Sequence, residues 1–443
     1  MEDKEENKLN TEAASEIKED TPAEPEQTVA ADLNGDGVVD KDEAEIDEAL
    51  KSLEGEPVEA PKKKKHAWLG YVLLVGVICL SVWAMLEIVR TNDPNDFQSF
   101  GEIIAASDWR FALITLAVLI VIVACICLEY VVVIKATTGK TRIRTGMKVA
   151  LLGKFYDNVT PFGTGGQPMQ IYYLHKKGLS GGASSAVVLT KYFVWMICWL
   201  FISLLLMACN THVLGGLDDA TRIVLLVTGW VGMGINVFLP LSILLFAVVP
   251  KFANKLASFV VGLGYKVKIV KDKEKTLAKA TKVVSDFRTT FKIISKRPLL
   301  FITLIILCIV EIFLNFSLPY FFMRTFSGLS SSGAAGDFST LIAVTAINVY
   351  VAFGVSFIPT PGNTGAMEGM GALAFKMFVT SGAVQFWSMF GWRFATYYIY
   401  ILIGLCLVIF DLIRKIYRAR KNRKNVLNSS TEDSPKNIEN EET

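Results

Sequence analysis

Two copies of one hexapeptide pattern interrupt apolar stretches of the chain. Thr160–Gly165 reads TPFGTG and Thr360–Gly365 reads TPGNTG, so both follow TPxxTG. Proline removes a backbone donor and glycine loosens a helix, so the pattern predicts that a helix unwinds at each copy. Unwound backbone at membrane depth must be buried in protein or line a cavity. A helix that begins after each break would direct its positive end there, which suits an anion such as a phosphate. Two unrelated kinks are the alternative.

Polar side chains at and near the two breaks are the candidate lipid-binding residues. Charged groups inside a membrane segment cost at least ~2.5–3.5 kcal/mol on insertion scales, which makes them candidates for function. Arg393, with Lys154 or Lys191 as a further cation, is predicted to bind a lipid phosphate, and Glu368 to meet a cationic or hydroxylated headgroup. A structural ion pair of Arg393 with Glu311 or Glu368 is the alternative. The full predicted set is Thr160, Pro161, Gly163, Thr164, Gly165, Gln167, Thr360, Pro361, Asn363, Thr364, Gly365, Glu368 and Arg393.

A calcium-binding pattern lies near the N-terminus, where residues 32–43 read DLNGDGVVDKDE. Calcium takes six to eight hard oxygens from a loop that folds back on itself, and the EF-hand spacing supplies them. Prolines weaken the helix that should precede the loop, and the sequence offers no second hand to pair with it, so an acidic tail with an accidental loop is the alternative. The predicted ligands are Asp32, Asn34, Asp36, the carbonyl of Val38, Asp40 and Glu43.

The composition is that of a membrane protein. Of 443 residues, 52% are hydrophobic and 20% are charged, against roughly 25% charged in soluble domains. This excludes a simple soluble enzyme, a collagen, a disulfide scaffold and a fully disordered chain. A helix needs roughly 20 apolar residues to cross a bilayer. The stretches long enough are Ala67–Val89, Phe111–Ile134, Ser184–Ala208, Ile223–Val249, Leu299–Phe322, Phe338–Phe357 and Val384–Leu412.

The predicted fold is therefore an all-α polytopic membrane protein, with about seven full spans and two broken TPxxTG segments. Basic loops face the cytoplasm, which places both termini inside. The broken stretch at 147–175 then enters from the cytoplasm and returns there, whereas the stretch at 338–380 enters from outside. Broken segments of opposite polarity in two halves are typical of an inverted repeat.

Charge divides the chain into three regions. Residues 1–60 hold 21 acidic and 5 basic residues and are expected to be a disordered cytoplasmic extension that carries the calcium loop. Residues 61–424 form the predicted membrane domain, and 425–443 a disordered polar tail. Within the membrane domain, 251–297 carries 13 bases against three acids. Apolar residues at helical spacing predict that this segment lies on the anionic inner leaflet.

Three segments of the chain resemble the lysylphosphatidylglycerol synthase transmembrane, or flippase-like, family. They are Asn158–Ser180, Phe357–Phe375 and the closing Arg393 with its downstream tyrosines and Gly404. The resemblance covers roughly residues 65–420. It implies the membrane half of the multiple peptide resistance factor. In that fused protein a soluble domain makes lysylphosphatidylglycerol from lysyl-tRNA, and the membrane domain moves the product outward, which protects the cell from cationic peptides.

The resemblance and the broken helices together favour a flippase of the cell membrane that moves an anionic or aminoacylated phospholipid. Two alternatives stay open. The first is that the chain is a phosphatidylglycerol lysyltransferase or its membrane subunit. The second is that it is a scaffold for a separate synthase or glycosyltransferase. Only about 30 polar residues follow Leu412, fewer than the roughly 50 that a domain needs, so we expect no synthase domain and no catalytic residues. Calcium is the one cofactor expected, and no nucleic acid partner is expected.

Overall fold

The computed structural model describes residues 107–248, 296–326, 338–379 and 382–411, with a few isolated positions elsewhere. The predicted calcium loop, the span at Ala67–Val89, most of the basic segment at 251–297 and the tail at 425–443 lie outside these residues. The described part is all-helical and contains no strand. The helices are α1 (Trp109–Thr138), α2 (Ile143–Val159), α3 (Gly166–Lys176), α4 (Gly181–Cys209), α5 (Asp219–Val248), α6 (Pro298–Phe326), α7 (Phe338–Gly354), α8 (Ala366–Phe375) and α9 (Gly382–Asp411).

Five of these helices are long and apolar enough to cross a membrane, namely α1, α4, α5, α6 and α9. The apolar helix α7 has 17 residues and is shorter than these five. The prediction of an all-α polytopic membrane protein is confirmed at this level. The number of spans and the inverted repeat stay predictions.

Local signals explain where the long helices begin. Asp108 accepts a hydrogen bond from the backbone N–H of Arg110 at the start of α1, at 2.9 Å. Ser180 accepts one from the backbone N–H of Ala183 at the start of α4, at 3.1 Å. Such caps satisfy backbone donors that have no partner within the helix.

Helix α6 lies at the centre of the bundle. It packs most extensively against α1 and also contacts α4, α7 and α9. Helices α2 and α3 form a short broken pair that packs against α1 and α4. This arrangement surrounds polar positions of α6 with side chains from four other helices.

Candidate functional site

The first TPxxTG segment breaks the chain between α2 and α3. The hydroxyl of Thr160 donates to the carbonyl of Tyr156 at 2.8 Å and accepts from the N–H of Gly165 at 2.9 Å. The carboxylate of Asp157 accepts from the N–H of Gly166, the first residue of α3, at 2.8 Å. The break is thus held by side chains that take the place of helical hydrogen bonds.

The second TPxxTG segment breaks the chain before α8. The hydroxyl of Thr360 donates to the carbonyl of Thr364 at 3.1 Å. The carboxylate of Glu368 accepts from the N–H of Gly365 at 2.7 Å. The N-terminus of α3 and that of α8 are therefore each bound by a carboxylate of the chain itself. A lipid phosphate would have to bind other hydrogen-bond donors.

The two hexapeptides share an unusual backbone conformation. Their third and fourth residues all have positive φ, at 55° and 61° in Phe162 and Gly163, and at 60° and 52° in Gly362 and Asn363. In both copies the second threonine donates its hydroxyl to the carbonyl of the proline, at 3.1 and 2.8 Å. The two copies of the sequence repeat therefore also share the local structure of the turn.

Helix α9 connects the two breaks, which also contact each other. Nη2 of Arg393 donates to the carbonyl of Gly362 in the second break, at 3.1 Å. One turn further on, the hydroxyl of Tyr397 donates to the carbonyl of Asn158 beside the first break, at 3.2 Å. The side chain of Asn158 donates in return to the carbonyl of Tyr397 at 3.3 Å. A π-helical turn at Phe394–Tyr398 lies in this stretch of α9.

Arg393 forms a buried ion pair with Glu368. Its Nε lies 2.6 Å from Oε1 of Glu368, and the two side chains are 5% and 0% exposed. The guanidinium also lies over the ring of Tyr397, 4.9 Å from its centroid. Of the two pairings that the sequence allowed, the structure forms the one with Glu368. The phosphate-binding role of Arg393 stays a prediction, and it would require this pair to open.

The two breaks differ in exposure. In the first, Phe162 is 59% exposed, whereas Thr364 and Glu368 of the second are buried at 1% and 0%. The first set is exposed or half-buried: Thr160, Pro161, Gly163, Thr164, Gly165 and Gln167. The second set is buried or half-buried: Thr360, Pro361, Asn363, Thr364, Gly365, Glu368 and Arg393. A ligand therefore has easier access to the first break.

Five charged side chains from α1, α2, α4 and α6 gather beside the first break, and we name them the charge cluster: Glu129, Lys154, Asp157, Lys191 and Glu311. Nζ of Lys191 lies 2.9 Å from Oε2 of Glu129, whose side chain is fully buried. Nζ of Lys154 lies 3.9 Å from Oε1 of Glu311, and their side chains are 30% and 2% exposed. Asp157 interacts electrostatically with both lysines.

Aromatic rings line the buried side of the charge cluster. Nζ of Lys191 lies 5.3 Å from the centroid of Tyr130 and 5.5 Å from that of Trp195. The indole N–H of Trp195 donates to Oε2 of Glu311 at 2.8 Å. Trp195 also stacks on Trp199. Rings of this kind stabilise an ammonium group that has lost its water.

Glu129 and Trp195 are members of this arrangement that were not predicted from the sequence. Glu129 lies inside a long apolar run, and a carboxylate in such a run is itself a signal of function. Trp195 gave no signal, because its partner Glu311 is 116 residues away in the chain.

Among the described residues, no group of three or more His, Cys, Asp or Glu side chains could hold a metal ion. The predicted calcium ligands lie outside them.

These features define an all-helical integral membrane protein with broken helices and a charged interior. The family model described as the lysylphosphatidylglycerol synthase TM region matches residues 67–404. The chain belongs to this family, as the resemblance predicted. Neither a curated protein nor a solved structure matches the chain.

Proposed function

We propose that the protein is a cell-membrane flippase that moves an anionic or aminoacylated phospholipid between leaflets. The observation that carries this proposal is Lys154. It is a cation with a half-exposed side chain, and it lies beside an accessible helix break and a buried carboxylate. Membership of the lysylphosphatidylglycerol synthase family supports a lipid of this class.

The polar groups around Lys154 match the parts of a phospholipid headgroup. The ammonium of Lys154 would bind the phosphate. The amides of Asn158 and Gln167, both half-buried, offer donors and acceptors for glycerol hydroxyls. Asp157 would attract the amino group of an aminoacylated headgroup. A polar path of this kind lowers the cost of moving a headgroup through hydrocarbon, where an unpaired polar group costs several kcal/mol.

Helix α9 and the second break would form the fixed side of this path. Arg393 and Tyr397 connect α9 to both breaks, so we expect a change at one break to affect the other. The first break, which is more exposed, would be the part that moves. We expect the chain to lie in the cell membrane with both termini in the cytoplasm.

Reconstitution tests this function directly. We expect the purified full chain to move fluorescent phosphatidylglycerol across proteoliposomes, as followed by dithionite quenching of the label. Lys154→Gln removes the accessible cation and should lower the rate at least tenfold. Lys148→Gln is the matched control, because Lys148 lies on the same helix with a similarly exposed side chain and pairs with Asp411 at 2.8 Å. Equal rates for both variants, or none for the unmodified chain, would contradict the proposal.

The family description favours a second candidate, a membrane partner of a lysyltransferase. In that case lipid movement is absent and lysylphosphatidylglycerol forms only when a synthase is supplied. Membranes containing the chain would be given lysyl-tRNA with labelled lysine, and the lipid extract examined for labelled product. Labelled lipid formed by the chain alone would assign the synthase activity to it.

A further inference from the structure

Each carboxylate of the charge cluster has one main partner of opposite charge. Glu129 pairs with Lys191 at 2.9 Å. Glu311 faces Lys154 at 3.9 Å. Asp157 binds the N–H of Gly166 at the start of α3, where a helix terminus contributes about half a positive charge. With these three pairings in place, the charge cluster is close to neutral.

Only one of the two cations in the charge cluster is accessible to a headgroup. The Lys191 side chain is 11% exposed and is enclosed by Tyr130 and Trp195. The Lys154 side chain is 30% exposed, and its distance to Glu311 exceeds that of a hydrogen bond. A lipid phosphate would therefore engage Lys154 and leave Glu311, which is 2% exposed, without a cation of its own.

We propose that binding of an anionic phospholipid at Lys154 makes Glu311 take up one proton, so that lipid and proton bind together. This inference rests on the proposed function. An unpaired carboxylate in low dielectric is expensive, and a buried group of this kind neutralises instead. The step is an association of the Glu311 carboxylate with H⁺ to give the carboxylic acid. Oε2 keeps its hydrogen bond from Trp195, and the proton is placed on Oε1, which faces Lys154.

The other groups near Glu311 do not supply a free positive charge that would keep its carboxylate ionised. Lys191 interacts with Glu311 but is already held by Glu129, and Glu129 itself repels a second negative charge. The remaining titratable neighbours are acids that carry a proton at neutral pH and supply no cation. The groups that interact electrostatically with Glu311 are Cys125 and Glu129 from α1, Lys154 from α2, Lys191 from α4 and Tyr400 from α9.

The linkage between lipid binding and proton uptake fixes the direction in which lipid affinity changes with pH. If lipid binding takes up one proton, acid must strengthen lipid binding by the same coupling. The dissociation constant for phosphatidylglycerol should then rise with pH, by up to about tenfold per pH unit. The phosphodiester of this lipid keeps one charge across neutral pH, so the pH dependence reports on the protein.

The experiment measures binding of short-chain phosphatidylglycerol to the full chain in neutral detergent, from mildly acidic to mildly alkaline pH. Infrared difference spectra on addition of the ether-linked form of this lipid, which has no ester carbonyl of its own, should show the carbonyl band of a new carboxylic acid. Glu311→Gln should remove both the pH dependence and the band. Glu129→Gln should do the same, because it frees Lys191 to pair with Glu311. Asp411→Asn is the matched control, a carboxylate paired with a lysine away from the charge cluster, and should keep both.

The outcomes separate the two proposals. Lipid binding that does not change with pH, with no new band in the unmodified chain, overturns the proton uptake and leaves lipid binding intact. A pH dependence that survives in both glutamate variants overturns it as well. Lipid that fails to bind at every pH overturns the proposed function itself. The first comparison uses the unmodified chain and does not depend on the folding of any variant.

Discussion

Arg393 makes three contacts in the interior of the bundle, with Glu368, the Gly362 carbonyl and the Tyr397 ring. Arginine suits this position because its planar fork donates in several directions while it keeps its charge. Lysine could supply only a compact point charge. These contacts favour the structural ion pair, which was the alternative prediction from the sequence, and the role with phosphate stays a prediction.

Substitution of Arg393 should lower the stability of the protein. Arg393→Ala leaves Glu368 buried and unpaired, and losing one partner of a buried ion pair typically costs about 3–5 kcal/mol. We expect a clear fall in the melting temperature of the detergent-solubilised chain. The double change Arg393→Ala with Glu368→Ala should recover part of the loss, because no unpaired charge remains.

The comparison with function decides between the two roles of Arg393. If Arg393→Ala melts like the unmodified chain but moves no lipid, the residue acts on the phosphate and the ion pair contributes little to stability. Arg393→Lys then serves as the conservative variant and should restore movement in part. Loss of both stability and movement, with recovery of stability in the double variant, supports the structural role.

At the scale of elements, the backbone of the second break depends on Gly362. Its φ is 60°, and a β-carbon at this position would collide with the ring of Tyr397. Left-handed backbone costs a residue with a β-carbon about 1–2 kcal/mol. The glycine therefore allows α9 to approach the break closely enough for Arg393 to reach the Gly362 carbonyl.

Substitutions of Gly362 and Gly369 by alanine should have different effects. Gly362→Ala should lower the melting temperature of the solubilised chain, because strain and the collision with Tyr397 add. Gly369 lies in α8, is exposed and has open space where a β-carbon would be. Gly369→Ala should be neutral or stabilising by up to about 1 kcal/mol. A neutral Gly362→Ala would show that the turn relaxes and that α9 is not held by it.

The elements also show what the sequence could reveal. The TPxxTG repeats predicted both breaks, because proline and glycine act locally and leave a local signal. The unequal exposure of the breaks was not predictable, since it depends on how α2 and α9 pack against them. The pairing of Glu129 with Lys191 was missed for the same reason, because the two residues lie 62 positions apart and meet only when α1 packs on α4.

At the scale of the whole molecule, the repeat predicts opposite polarity for the two breaks. In a cysteine-free background, Phe162→Cys should react with an impermeant maleimide only from the cytoplasm, and Asn363→Cys only from outside. Phe162 is the more exposed of the two, so its cysteine should react faster. Labelling of both from one side would contradict the inverted repeat.

Calcium binding at 32–43 also stays a prediction of the sequence.

The closed ion pair of the second break has an electrical consequence. A membrane potential does work only on net charge that moves across it, about 2.3 kcal/mol per elementary charge per 100 mV. Glu368 and Arg393 together carry no net charge, and they are held 2.6 Å apart. As long as the two side chains stay paired, the voltage does no net work on them. Among the described residues, the candidates for a voltage dependence of lipid movement would then be the members of the charge cluster, together with the proposed proton on Glu311 and the charge of the headgroup.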